Sequence, residues 1–250
     1  PFLGSLYIGG TVDLALDSTG RPHVVYMPQD PAPSTYRQDL WYAYWDGTAW
    51  VRTQIDAGTG DFDRPRIDVD ASDRPHIVYG AYLPSRVDAS PSDFSIRHAF
   101  FDGGSWQTED IDVGREYVGG ADPYAEVQID LGLTDDARAL YYVDLGTPSA
   151  PDPTPIYAVR SAGPSGVWTR TTLTGLTGHY NSQLERDAAG VPVLVSDGLN
   201  IHRPAPWSTT PAIRGQDPAI VRVGDRLFVA YGVPTGTLSR TELYFTVLGL

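Results

Sequence analysis

Apolar and polar positions alternate along this chain in runs of four to seven residues, broken by turn residues. Thr11 to Asp17 reads TVDLALD and stops at Ser18-Thr19-Gly20, and His23 to Tyr26 reads HVVY. After a long polar loop, Asp39 to Trp45 reads DLWYAYW, and Trp50 to Ile55 reads WVRTQI. Period-two alternation over such lengths predicts half-buried antiparallel strands. Asp46-Gly47 and, one unit on, Asp102-Gly103 predict tight hairpins, because glycine supplies the positive φ such turns require.

The runs return. DSTGRPHVVY around Asp17 reappears as DASDRPHIVY around Asp70, with His23 and His76 53 residues apart, and DLWYAYWDGTAW is echoed by SIRHAFFDGGSW. Self-similarity at about 50 residues belongs to stacked or radial repeats, in which each unit buries its apolar face only against its neighbours. Five units follow, at about 11–58, 66–113, 126–175, 183–214 and 217–250. The last lacks a strand, and the segment Ser5 to Ile8 precedes the first. Sharing one unit between the termini locks a ring and removes its open edge. The expectation is therefore an all-β, five-bladed β-propeller forming one domain over 1–250, closed by residues 1–9 pairing with the strand near Leu243 to Val247.

On the innermost strand of each unit an apolar residue (Leu14, Ile67, Val127, Leu184 or Ile220) is flanked by the pairs Asp13 and Ala15, Arg66 and Asp68, Glu126 and Gln128, Gln183 and Glu185, Ala219 and Val221. Alternation puts these flanking residues on one face, polar in four of the units. In a propeller that face meets the central channel. An acidic funnel containing Arg66 is expected, with Asp13, Asp68, Glu126 and Glu185 as candidate catalytic carboxylates; close carboxylates raise one another's pKa, as glycoside hydrolysis requires. The simpler reading of the four is solvated channel residues paired with Arg66. Asp17, Asp70 and Asp130 end the inner strands and are expected to cap turns. Asp68 to Asp73 lacks the glycine and the terminal glutamate of an EF-hand loop.

Long loops gather at one end of the units and carry Arg115, Tyr117, Tyr124, His179 and Tyr180, which with Arg66 form the expected ligand-binding set, since aromatic faces beside polar groups suit sugars. His179 and Tyr180 with Arg115 also have the makings of a polysaccharide lyase base, acid and carboxylate neutraliser. His23 and His76 recur at one repeat position and are expected to be structural. Trp50, Trp106 and Trp168 are expected as wedges between blades.

Composition narrows the partners. With 31 acidic and 18 basic residues the formal charge is −13, which disfavours nucleic acid and anionic membranes. No run approaches a membrane span. The absence of cysteine removes disulfides, thiolate metal sites and cysteine nucleophiles. No cofactor is expected, the one option left open being Ca2+ or another cation in the acidic channel. A basic, apolar leader is missing at Pro1, and a secreted or cell-surface location is the expectation.

The phrase D-x-x-G-R-P-H-V-V-Y followed by W-D-G-T-A-W resembles the repeats of sialidase-like (BNR-type) propeller proteins, a group of glycosidases, polysaccharide lyases and lectins. Trp45-Asp46-Gly47-Thr48-Ala49-Trp50 keeps the Asp, Gly and final Trp of that group's Asp-box at altered spacing. The resemblance implies a carbohydrate ligand. The expected function is lectin-like binding on the loop face above an acidic channel; the alternatives are a glycoside hydrolase or polysaccharide lyase, using the channel carboxylates or the His179/Tyr180 loop, and a protein-interaction scaffold.

Overall fold

The computed structural model describes residues 8–28, 39–56, 62–83, 93–116, 127–131, 136–144, 153–161, 163, 165–173, 182–187, 189–196, 200–203, 208–211, 216–223, 226–234 and 241–249. All regular structure in these residues is β. Sheet 1 comprises β1 (Ile8–Leu16), β2 (Pro22–Pro28), β3 (Leu40–Trp45) and β4 (Trp50–Asp56). Sheet 2 comprises β5 (Phe62–Val69), β6 (Pro75–Leu83), β7 (Asp93–Phe101) and β8 (Trp106–Glu116), and sheet 3 comprises β9 (Val127–Leu131), β10 (Ala137–Asp144), β11 (Pro153–Arg160) and β12 (Trp168–Thr172). Sheet 4 has the short strands β13 (Gln183–Arg186), β14 (Pro192–Ser196), β15 (Asn200–Arg203) and β16 (Ser208–Pro211). Sheet 5 has three strands, β17 (Gln216–Val223), β18 (Arg226–Pro234) and β19 (Thr241–Gly249).

Every sheet is an antiparallel meander in chain order, and the first strands pack in sequence, β1 on β5, β5 on β9, β9 on β13 and β13 on β17. This is a β-propeller arrangement. Four sheets are complete four-stranded blades, and a complete fifth blade is not shown among the described residues. One closing contact expected from the sequence is corrected: Ile8 pairs with Pro28 within sheet 1 and not with β19. A register shift between Ile8 and Val12, where the chain runs Gly9-Gly10, carries the strand through a bulge and keeps it in its own sheet. Residues 1–7 lie outside the described residues.

Each junction buries the rear face of one sheet on the front face of the next. Val25, Met27 and Tyr42 of sheet 1 pack on Ile67, Ile77 and Tyr79 of sheet 2, and Val78 and Ile96 of sheet 2 pack on Val127, Ala139 and Tyr141 of sheet 3. Leu140 and Tyr142 meet Leu184 and Leu194, and Val193 and Val195 meet Leu227 and Val229. Two of the three expected wedges, Trp106 and Trp168, sit at these junctions, while Trp50 packs within sheet 1. Half-buried Trp106 lies edge-on to Tyr42 at 4.9 Å, and Trp168 lies edge-on to His98 at 5.3 Å while donating from Nε1 to Glu109 at 2.7 Å. Ion pairs add to them, Asp56 with Arg97 at 2.6 Å and Glu109 with Arg160 at 2.5 Å.

The turns follow their repeat chemistry. Asp17 accepts the backbone N–H groups of Thr19 and Arg21 at 2.9 Å, and Asp70 those of Ser72 and Arg74 at 2.9 and 2.8 Å. Gly47 and Gly103 have φ of 104° and 100°, as the hairpins require. His23 and His76 are buried, their Nδ1 atoms meeting Tyr42 Oη at 2.6 Å and His98 Nε2 at 3.0 Å.

Candidate active site in the central cavity

The five first strands surround a cavity of about 570 Å³. Alternation decides what faces it. Asp13, Arg66 with Asp68, Gln128 with Asp130, and Gln183 with Glu185 lie on the rear faces of their strands, towards the next sheet, and all but the apolar fillers between them are polar. Three of the four expected carboxylates therefore share one cavity, with Arg66. Glu126 lies outside the described residues, as do Tyr117, Tyr124, His179 and Tyr180. Arg115 is placed in β8 by its backbone pairing with Phe94.

What each carboxylate meets on the neighbouring sheet differs. Asp13 Oδ2 accepts the backbone N–H of Ile67 at 3.0 Å, and Asp68 Oδ2 that of Leu131 at 3.0 Å, so both tie one inner strand to the next. Burial raises both above the ordinary carboxylate range; the Ile67 N–H and Arg66 moderate the rise at Asp13, and the N–H groups of Leu131 and Val69 that at Asp68. Both are partly buried acids held by backbone donors, with the charge of Arg66 acting on Asp13 as the simpler reading expected.

Asp130, expected to cap a turn like Asp17 and Asp70, lines the cavity; residues 132–135, which follow it, lie outside the described residues, and at the same repeat position on sheet 4 Asp187 caps its turn by accepting the N–H groups of Ala189 and Val191 at 2.9 Å. The Asp130 side chain receives Nη1 of Arg186 at 2.6 Å. Burial pushes Asp130 up to about 6 even so, with Arg186 opposing and the charge of Asp68 adding to the rise. Arg186 was not singled out in the sequence. Its parity on β13, opposite to that of Glu185, aims it back at sheet 3, where Asp130 faces forward.

Glu185 lies on the face of sheet 4 turned to sheet 5, whose facing residues on the inner strand are Ile220 and Arg222, both lining the cavity. Among the described residues the neighbour that supplies it a hydrogen bond is the backbone of Arg186. Burial first, then the charges of Asp130 and Asp68, push its carboxyl up to about 7. At neutral pH this is a half-protonated acid, beside an Asp130 that is the more readily ionised of the two. Among the described residues no group of three or more His, Cys, Asp or Glu is arranged to hold a metal ion.

The chain matches no protein-family model and no curated protein. Among solved structures it is similar to the polysaccharide lyase Uly1, at 9% identity and a TM-score of 0.67 over 94% of this chain. It is also similar to the Penicillium chrysogenum α-L-arabinanase complexed with arabinobiose, at 14% identity and 0.58 over 97% of this chain and 77% of that one. A third is the Trypanosoma rangeli sialidase, at 10% identity and 0.50 over 98% of this chain and 47% of that one. The fold is a β-propeller like theirs. The likeness to sialidase-type repeats expected from the sequence holds at this level. The chain spans 57% of the length of the lyase chain.

Proposed function

We propose that this chain is a carbohydrate-active enzyme that hydrolyses a glycosidic bond in the central cavity, with Glu185 as general acid. The observation that carries the reading is the Glu185 carboxyl in the cavity, raised to about 7 by burial and by the charges of Asp130 and Asp68. A carboxylic acid that keeps its proton near neutrality is what the departing glycosidic oxygen needs. Asp13 is the partner. It lines the same cavity from β1, which packs on β5, while Glu185 sits on β13, between β9 and β17, so the two approach from different sides. Glu185 gives its proton to the glycosidic oxygen as the C–O bond breaks. Water loses a proton to Asp13 and adds to the anomeric carbon. In this reading the water stands between the two carboxylates, which makes the reaction an inverting one. Asp130 keeps the acid protonated by its charge, and Arg186 holds Asp130.

This reading takes the alternative of turnover over lectin-like binding. Support comes also from proteins of similar fold that act on glycans, the arabinanase complexed with arabinobiose among them. It takes the five sheets as blades of one ring around the cavity, a glycan as ligand, and a secreted or cell-surface location where polysaccharide is met. The test is incubation with a panel of arabinans, xylans, sialosides and uronate-containing polysaccharides, followed by product analysis. Hydrolysis products with an inverted anomeric centre are expected. Unsaturated products of elimination would point to a lyase, and binding with no product at all to a lectin.

A further inference from the structure

Buried polar groups in a folded chain are almost all hydrogen-bonded, so atoms left without a partner at a cavity wall call for an occupant. Three such atoms stand where sheet 3 meets sheet 4. Gln128 and Asp130 are 6% and 4% exposed. They sit two residues apart on β9, opposite Leu140 and Arg138 in register, and Leu140 packs on Leu184 and Leu194, so both side chains point towards sheet 4. Arg186 shares the parity of Leu184 on β13 and points back at them. Among the described residues, Nε2 of Gln128, Oδ2 of Asp130 and Nε of Arg186 are buried without a hydrogen bond. The 2.6 Å contact between Asp130 and Arg186 engages Oδ1 and Nη1 instead, and Nη1 of Arg138 stands 3.7 Å from Oδ2, beyond hydrogen-bonding reach. All three residues line the central cavity.

The trio offers two donors and one acceptor. A carboxylate or phosphate would take the donors and be repelled by Asp130, and a metal ion would take the acceptor and meet the Arg186 guanidinium. One hydroxyl satisfies all three, because its oxygen accepts two hydrogen bonds and its proton is donated once. We infer that Gln128, Asp130 and Arg186 form a subsite for a single hydroxyl of the bound sugar, and that this subsite selects which sugar the cavity accepts. The assignment rests on the cavity being a glycan site, as proposed above, and adds what selects the glycan. Rotation of the Gln128 amide about its soft terminal torsion brings Nε2 to the cavity surface. A sugar lacking the hydroxyl leaves buried polar groups unpaired, which costs far more than a missing methylene in an apolar pocket. A fixed structural water has the same hydrogen-bonding chemistry, and affinity and stability together separate the two.

The experiment is a ligand-observed NMR titration of the whole chain with the methyl glycosides of arabinose, xylose, sialic acid and galacturonic acid, and with their monodeoxy forms. It compares the parent with Gln128→Met, which keeps the length of the side chain and removes its donors; Gln128→Leu is the second variant, should the first fail to fold. For a sugar that binds, removal of one hydroxyl should weaken the parent's affinity roughly 10- to 100-fold. The variant should bind the full sugar as weakly as the parent binds that deoxy form, and should no longer tell the two apart. Its thermal midpoint without sugar should equal or exceed the parent's, since the donor it loses had no partner. Equal parent affinities for every deoxy form, or binding of none of these sugars, overturns the subsite. So does a variant that melts lower yet discriminates as the parent does, which assigns the amide to a fixed structural water. Turnover is read separately: a parent that discriminates but releases no product keeps the subsite and removes the hydrolase, and one that cleaves polysaccharide without discriminating does the reverse.

Discussion

The Nη1 atom of Arg186 lies 2.6 Å from Oδ1 of Asp130, joining sheet 4 to sheet 3 at the cavity wall, and still Asp130 stays at about 6. The guanidinium is shared. Asp130, Asp68 and Glu185 all draw on it, and burial outweighs its field at each of them. The result is a graded pair in which Glu185, at about 7, holds its proton to higher pH than Asp130, at about 6.

That grading predicts the alkaline limb of the pH profile. Activity should fall as pH rises through about 7, when Glu185 loses its proton. Asp130→Asn removes a neighbouring charge and frees Arg186 to act on Glu185, so the limb should move to lower pH. An unmoved limb in kcat/KM would disconnect the two residues.

The same group sets a stability trend. Its pKa is raised on folding from 4.5 to about 7, so its contribution is fully present below 4.5 and is lost as pH rises through 7. Glu185→Gln should match the parent in thermal midpoint at pH 4.5 and exceed it at pH 8, as read by calorimetry.

His98 works the other way. Burial holds it down at about 4, from 6.5, against the hydrogen bond it donates to Glu109, which favours its charged form. Its contribution is present above 6.5 and is lost as pH falls towards 4. His98→Gln should cost stability at pH 7 through lost packing, and the gap to the parent should narrow steadily on acidification.

The wedges carry blade packing. Trp168→Ala removes an edge contact to His98 and the donor to Glu109, and Trp106→Ala removes the contact to Tyr42. Each should cost about 3 kcal/mol in urea unfolding. Unchanged midpoints would make these rings surface features.

Much of this was legible in the chain. The repeat located the meander of strands, and period-two alternation put Asp13, Arg66, Asp68 and Glu185 on the cavity side. The cavity role of Asp130 was not legible because it ends its strand as Asp17 and Asp70 do, and the sequence does not show that Arg186 reaches it from the next sheet. Arg186 was passed over because its parity matched the apolar row, and only the neighbouring sheet reveals that this row leans against Asp130. The raised pKa of Glu185 was equally hidden, since it depends on burial and on the charges of Asp130 and Asp68 on neighbouring sheets. Ile8 was assigned to the wrong sheet because Gly9-Gly10 reads as a break where the backbone makes a bulge.

The turnover of Glu185→Gln measures the central claim most directly. The substitution keeps the shape of the side chain and removes its proton. On a glycan the parent hydrolyses, the account predicts a loss of kcat by roughly 10²–10⁴-fold with binding retained. A variant that turns over at the parent's rate would contradict it.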